Sequence, residues 1–104
     1  MHGNSAEERI VRRYRVSGHV QGVGFRWFVR ERARAIDVAG EVCNDDDGAV
    51  VIDVAGSSEQ ITRIEDAIAT GPQGAIVDGV SVLLDGELAA ATLNALPYPF
   101  VIRR

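Results

Sequence analysis

The alternation of apolar and polar residues divides the chain into strands and helices. It predicts a first strand from Ile10 to Ser17, with Tyr14 and Val16 on the buried face. Apolar residues then recur at helical spacing, which predicts an amphipathic helix that ends before Gly40. Its apolar positions are Phe25, Phe28, Val29, Ala33 and Ile36.

A hairpin follows the first predicted helix. The second strand is predicted from Val38 to Asn44, and residues Asp45 to Gly48 form a turn that closes in Asp-Gly. The third strand begins near Val50. Its residues alternate between an apolar face and a face of mixed polarity. We therefore expect one face of the sheet to be covered and the other to meet water.

A second helix and a fourth strand come next. Ser57 precedes the helix and Gln60 lies three residues later, which is the spacing of a capping box. The helix is expected to end at Gly71, and the fourth strand runs from Ala75 to Leu84.

The last part of the chain is less regular. Residues Asp85 to Pro97 fit either a helical turn or a flexible loop. Tyr98 to Arg103 is predicted as a short closing strand with Phe100 and Ile102 facing inward.

The order βαββαβ plus a short C-terminal strand predicts an α+β fold. It is the ferredoxin-like split βαβ sandwich, with an antiparallel sheet and two helices on one face. We assign one domain to residues 9–104 and a flexible N-terminal tail to residues 1–8, which are polar and lack a pattern. Many unrelated activities use this fold, so function must come from a site.

Composition limits the classes of function. The formal net charge of −4 argues against a general nucleic-acid binder. The single cysteine, Cys43, cannot form an internal disulfide, which favours a reducing, cytoplasmic setting. No segment has the apolar length of a membrane span, so no membrane association is expected. No cluster of cysteine and histidine suggests a metal site, and nothing demands more than a monomer.

The segment GHVQGVGFR, from Gly18 to Arg26, has the features of a phosphate-binding loop. Its glycines allow the backbone to approach a ligand, and successive amides can form a concave nest for an anion. The following helix adds the positive end of its dipole. Arg26 falls in the first helical turn, where a guanidinium could clamp the same anion.

Glycines in a strand-to-helix loop often serve only its bends, but Arg26 argues for an anion. A cation at a helix N-terminus costs about 0.3–1 kcal/mol unless a negative charge lies nearby. The segment lacks the Gly-Lys-Ser/Thr of a Walker A loop and the spacing of a dinucleotide fingerprint.

The segment GEVCNDDDG, from Gly40 to Gly48, contains a second candidate. The side-chain amide of Asn44 could hold a water molecule by donating and accepting hydrogen bonds, or it could simply begin the turn. The three aspartates that follow lack the spacing of an EF-hand, so a solvated turn is expected there.

These two segments together resemble the two signature segments of the acylphosphatase family. GPQGAIVDGVSV and the terminal PFVIRR are also similar to that family's fourth strand and C-terminus. The resemblance covers about Arg9 to Arg104, and the V-Q-G-V-G-F-R motif is highly specific. The family's fold is the sandwich predicted above.

The resemblance implies hydrolysis of small-molecule acyl phosphates to a carboxylate and inorganic phosphate, without cofactor or metal. Arg26 would then bind the phosphate and Asn44 would orient the attacking water. The backbone cradle would be formed by His19, Val20, Gln21, Gly22, Val23 and Gly24. A carboxylate is a good leaving group, so positioning and charge stabilisation suffice for such a reaction.

Some positions depart from the family pattern. His19 stands where another basic or polar residue is common, and Glu41 where an aromatic is usual. Cys43 replaces a residue that is usually basic or polar. By strand alternation, Glu41 and Cys43 should alter the outer face of the sheet rather than the chemistry, and Cys43 has no evident base to make it a nucleophile. Trp27 falls off the apolar helix stripe and could flank the acyl side of a substrate or simply be exposed.

Two alternatives have different functions. A non-catalytic phosphate- or RNA-binding module would share the order of elements, but the third strand, AVVIDVAG, has no aromatic residue on which bases could stack. A similar domain also begins carbamoyl-transferring maturation proteins, where it would act as a regulatory or carrier module. With no zinc-finger cysteines in the chain, a free-standing enzyme is favoured.

Overall fold

The computed structural model describes residues 9–87 and 95–103. The predicted tail at residues 1–8 and residues 88–94 of the irregular stretch lie outside the described residues. In chain order the described elements are β1 (Ile10–His19), α1 (Phe25–Ile36), β2 (Ala39–Asn44), β3 (Val50–Gly56), α2 (Ser58–Thr70), β4 (Ile76–Glu87) and β5 (Val101–Ile102).

The strands form one sheet in the order β4-β1-β3-β2-β5. The pairs β1–β3, β1–β4 and β2–β3 are antiparallel, and both helices pack on the sheet and on each other. This confirms the ferredoxin-like α+β fold predicted from the sequence.

The sheet is mixed rather than wholly antiparallel, because β5 pairs in parallel with β2. The physical reason is the position of the strand ends. The last residue of β4 lies on the side of the sheet from which β2 starts. A strand that starts from that side after β4 therefore runs parallel to β2.

The core lies between the sheet and the two helices. β3 contributes Val50, Ile52 and Val54, which are fully buried, as the one-sided alternation predicts. The helices contribute buried stripes, and Phe100 closes the core beside β2. Burying one such side chain stabilises the fold by about 1.5–3 kcal/mol. The helix residues buried in the core are Phe25, Val29 and Ala33 of α1 and Ile61, Ile64 and Ile68 of α2.

β1 is longer than its pattern suggests, because Gly18 belongs to the strand and not to the loop. Gly18 and His19 pair with Val77 and Ile76 of β4 after an irregularity in the ladder. A Cβ atom on Gly18 would lie 2.1 Å from the carbonyl oxygen of Ile76. Gly18 is thus required for the close approach of two strands, and the loop proper is Val20–Gly24.

β4 and β5 also differ in length from the sequence prediction. β4 continues to Glu87, because β1 pairs with it along its whole length and Ile10 lies opposite Glu87. β5 is limited to two residues, while Phe100 is buried just before it.

The start of α2 follows the sequence prediction. Ser57 is the N-cap residue, its hydroxyl accepts a hydrogen bond from the backbone of Gln60, and the Gln60 side chain accepts one from the backbone of Ser57. The capping box is confirmed. Of the described helices, none has both the length and the apolarity needed to cross a membrane.

Candidate active site

The sheet order brings the glycine-rich loop and the β2–β3 hairpin to one end of the molecule. β1 and β2 are both antiparallel to β3, so they run in the same direction. The residues after β1 and the residues after β2 therefore meet at the same end of the sheet. The two candidate segments become neighbours for this reason, and Gln21 of the first contacts Asp45 of the second, 24 residues later in sequence.

The loop has the backbone shape of an anion-binding nest. Gly22 and Gly24 have φ angles of 78° and 79°, in the left-handed region that other residues rarely adopt. Gly24 is the N-cap of α1, and no side chain of the described residues caps this helix. Among hydrogen bonds between described residues, none uses a backbone N–H of Val20–Gly24 as donor. These N–H groups and those of the first helical turn are available to a ligand.

A shallow depression of about 150 Å³ lies between this loop and the hairpin. Clefts that hold drug-sized ligands are typically about 300–1,000 Å³, so this one suits a small group. It is lined by Val20, Gly22, Gly24, Phe25, Arg26, Trp27, Asn44 and Ile102.

Arg26 lines the depression from the first turn of α1. It is half-buried, and within residues 9–87 and 95–103 its guanidinium takes part in no hydrogen bond or ion pair. Most other arginines of the described chain contact a carboxylate or carbonyl, such as Arg12 with Asp85 and Arg13 with Asp53. Arg26 therefore combines an unfavourable position near a helix N-terminus with free donors beside an open space.

Asn44 reaches the depression from the opposite side. It is the last residue of β2, pairs with Val50 of β3 and is exposed. Its side-chain amide makes no hydrogen bond to another described residue. Both its donor and its acceptor are free to bind a water molecule.

The structure brings together five of the predicted site residues. Val20, Gly22, Gly24, Arg26 and Asn44 all line the depression.

Three other predicted cradle residues do not line it. His19 is exposed at the end of β1, and Val23 packs against the core. The side chain of Gln21 turns away to the hairpin, where its amide nitrogen donates hydrogen bonds to the carbonyl oxygens of Asp45 at 3.0 Å and Ala49 at 2.9 Å.

Two lining residues have an apolar pattern that predicts a place in the core and not in the site. Phe25 and Ile102 form the apolar base of the depression, and Trp27, with 58% of its surface exposed, stands at its rim. Only the three-dimensional packing places the C-terminal strand beside the loop, so no local signal identified Ile102.

Glu41 and Cys43 lie on the sheet face opposite the helices, on the side of β2 away from buried Val42. Glu41 forms an ion pair with Arg103 at 2.6 Å. Burial, followed by the charges of Glu41 and Asp53, raises the pKa of the Cys43 thiol. The thiol is thus held in its protonated, weakly nucleophilic form.

The acidic turn is held by an arginine. Arg15 contacts Asp45 at 3.3 Å and Asp47 at 2.6 Å. Over the part of the chain that the structure describes, no three histidine, cysteine, aspartate or glutamate residues group in a way that could hold a metal ion.

At one end of a ferredoxin-like α+β sheet the structure thus brings together a glycine-rich nest with an arginine and an asparagine whose side chains have no partner among the described residues. Comparison with known proteins gives the family. The family model described as Acylphosphatase matches residues 12–88, and the chain belongs to the acylphosphatase family.

Curated relatives carry the same description. The chain is 47% identical over 68 residues to an acylphosphatase of Thermotoga maritima, a match that covers 65% of this chain and 76% of the relative. It is 40% identical over 90 residues to an acylphosphatase of Rhizobium etli, which covers 86% of this chain and 89% of the relative.

Solved structures agree with the sequence relatives. The crystal structure of acylphosphatase from Bacillus subtilis superposes with a TM-score of 0.81 at 32% identity, over 91% of this chain and 99% of that one. Full-length HypF superposes with a TM-score of 0.77 at 28% identity, over 92% of this chain but 12% of the HypF chain.

Proposed function

We propose that this protein hydrolyses acyl phosphates by direct attack of water on a phosphoryl group held between the Val20–Gly24 loop and Arg26. The observation that carries the proposal is the shared lining of one depression by Arg26, Asn44, Gly22 and Gly24. The family membership supports the same reaction.

The phosphoryl group would sit on the free N–H groups of the loop and of the first turn of α1. These donors and the helix dipole favour an anion, and they are fixed before the substrate arrives. The Arg26 guanidinium, which has no partner among the described residues, would contact the non-bridging oxygens and offset their charge.

The attacking water would be held by Asn44. Its amide can accept one hydrogen bond from the water and donate another to it, which fixes the direction of the oxygen lone pair. The water oxygen bonds to phosphorus while the bond from phosphorus to the carboxyl oxygen breaks. The carboxylate leaves with that electron pair, and the proton of the water passes to the phosphate or to solvent.

No strong general acid is required in this mechanism. The leaving carboxylate is stable as an anion, and the loose transition state of phosphoryl transfer chiefly requires alignment and charge stabilisation. The proposed reaction uses no cofactor and no metal, and it gives a carboxylate and inorganic phosphate as products.

Replacement of Arg26 tests the phosphate-binding role. We expect Arg26→Ala to lower kcat/KM for acetyl phosphate by about 1,000-fold or more and to weaken inhibition by inorganic phosphate. The matched control is Arg63→Ala, which removes an exposed charge from α2 and should leave both values unchanged. Retained turnover in the Arg26 variant would refute the assignment.

Replacement of Asn44 tests the water-positioning role. Asn44→Ala should lower kcat by about 100- to 1,000-fold, while the inhibition constant of phosphate changes little. Asp46→Ala, in the adjacent exposed turn, is the control. Loss of phosphate affinity with normal kcat would assign Asn44 to binding.

Equal rates of the unaltered protein with and without a chelator would support a metal-free reaction, and loss of activity in chelator would contradict it.

We also propose that the protein acts as a cytoplasmic monomer and binds neither nucleic acid nor membrane. On the open face of the sheet, arginines pair with carboxylates, as Arg13 does with Asp53 at 2.6 Å and Arg103 with Glu41. These pairs leave less free positive charge for phosphate backbones. Titration with single-stranded RNA tests this, and tight, salt-sensitive binding would contradict it.

A further inference from the structure

The side chain of Gln21 connects the two halves of the candidate site. Its amide nitrogen lies 3.0 Å from the carbonyl oxygen of Asp45 and 2.9 Å from that of Ala49. Both partners are acceptors, and the NH₂ group of the Gln21 amide, with two donors, satisfies them together.

The hairpin turn that receives these hydrogen bonds is a closed unit. The backbone N–H of Asp45 donates to the Ala49 carbonyl at 2.9 Å, and the Asp45 carboxylate accepts from the N–H groups of Asp47 and Ala49. Arg15 contacts the same turn from the open face of the sheet. A turn closed in this way moves as one piece, together with the residue that precedes it.

The residue that precedes the turn is Asn44. On the other side, Val20 and Gly22, the two neighbours of Gln21, line the depression. Gln21 is therefore one residue from the lining of the loop, and its hydrogen bond to Asp45 is one residue from Asn44, while the bond to Ala49 holds the other end of the same turn. No other side-chain hydrogen bond joins the loop to the hairpin within the described ranges 9–87 and 95–103.

We propose that Gln21 is a positioning residue, which sets the place of Asn44 relative to the phosphate-binding loop. The proposal rests on the proposed function. The side chain of Gln21 touches no reacting atom: its amide nitrogen donates to the turn, and the side chain acts through Asn44. Displacement of a catalytic group by about 1 Å can cost about 100-fold in rate, so loosening the hairpin should slow the chemical step.

A double-mutant cycle with Asn44 tests the proposal. Gln21→Met keeps the length of the side chain and removes both donors. We expect it to lower kcat about 10- to 100-fold in the unaltered protein, and less than about twofold in the Asn44→Ala background, where no positioned amide is left to disturb. The inhibition constant of inorganic phosphate should change by less than about twofold in either background, because the loop and Arg26 remain.

Gln60→Met provides a matched structural control. Gln60 also donates from its amide to two backbone carbonyls, those of Ile36 and Asp37, but it lies at the start of α2 and not at the depression. Its replacement should lower the melting temperature and leave kcat unchanged at temperatures where the variant is folded. If Gln21→Met does not fold, Gln21→Asn, one methylene shorter and unable to reach both carbonyls, should give the same kinetic pattern.

The outcomes separate this proposal from the proposed function. Equal loss of kcat in both backgrounds, or a phosphate inhibition constant that rises with the loss of rate, would overturn the positioning role. If the wild-type protein is active and the Gln21→Met variant is unaffected, the positioning role is overturned and the proposed function stands. Absence of acyl phosphate hydrolysis by the wild-type protein would overturn the proposed function, and the role of Gln21 with it.

Discussion

At the scale of single residues, the site depends on backbone conformation as much as on side chains. Gly24 is both the N-cap of α1 and a lining residue, and its left-handed conformation directs the N–H groups that follow. A Cβ atom there would meet no atom within 4 Å, so any effect of adding one comes from conformation and not from a clash.

Replacing Gly24 with alanine should therefore weaken phosphate binding. A non-glycine residue in the left-handed region costs about 1–2 kcal/mol, and the loop can relieve this strain only by turning its amides away from the nest. We expect the phosphate inhibition constant to rise several-fold and kcat/KM to fall.

The control for this prediction is Gly74→Ala. Gly74 also has a positive φ and open space around it, but it lies in the turn before β4. It should lose a similar amount of stability without any change in phosphate inhibition. Equal inhibition constants for the two variants would count against the nest.

The sequence could predict Arg26 and Asn44 as partners only through the resemblance to a family. The position of Arg26 at a helix N-terminus indicates an anion without reference to any family, whereas Asn44 by itself is typical of an ordinary turn. The contact of Gln21 with the hairpin had no sequence signal, because it joins residues 24 and 28 positions apart and depends on how β1 and β2 are aligned across β3.

At the scale of elements, the pattern predicts the strands and helices and both ends of α2, but it misses the end of β1, the end of β4 and the short length of β5. The capping box of α2 is a local signal, and the structure has it at the predicted residues. The last residues of β1 and β4 depend instead on each other, since each continues only where the other supplies hydrogen-bonding partners. Gly18 is an example. Its place in a glycine-rich segment predicts a loop, but in the structure its pairing with β4 makes it part of a strand.

The cap of α2 gives a prediction about stability alone. Ser57→Ala removes the acceptor for the backbone N–H of Gln60 and should lower the free energy of unfolding by about 1 kcal/mol. Chemical denaturation measures this change. Ser58→Ala, one residue into the helix, should have a smaller effect, and neither variant should alter kcat.

At the scale of the whole molecule, a buried hydroxyl joins β1 to α2. Tyr14 is completely buried, and its hydroxyl donates a hydrogen bond to Glu65 at 2.6 Å. Arg12 links the same carboxylate to Asp85 of β4. Burial, followed by the hydrogen bond to Glu65, raises the pKa of Tyr14 well above its usual value of about 10.

This raised pKa predicts a loss of stability in alkali. The folded state favours the neutral phenol, so its contribution is complete below the unfolded pKa of about 10 and is lost as pH rises through the folded pKa. Melting temperatures measured from neutral to alkaline pH should fall steeply above about pH 10, and less steeply for Tyr14→Phe. Phenolate absorbance by Tyr14 should appear only as the protein unfolds; an early, reversible signal from it in folded protein would contradict the assignment.

The pairing of β1 with β4 also determines when the fold can be completed. β1 lies in the interior of the sheet, between β4 and β3. In its pairing with β4, the first residue of β1, Ile10, lies opposite the last residue of β4, Glu87. During synthesis, β1 can pair with β4 only after almost the whole described chain has been made. The entropy of closing a loop of that length is lost before the β1–β4 contacts form and stabilise the sheet. Refolding should accordingly be slower than that of a helical bundle of equal size, and a ribosome-bound chain that lacks β4 should expose one edge of β1 to any other strand it meets.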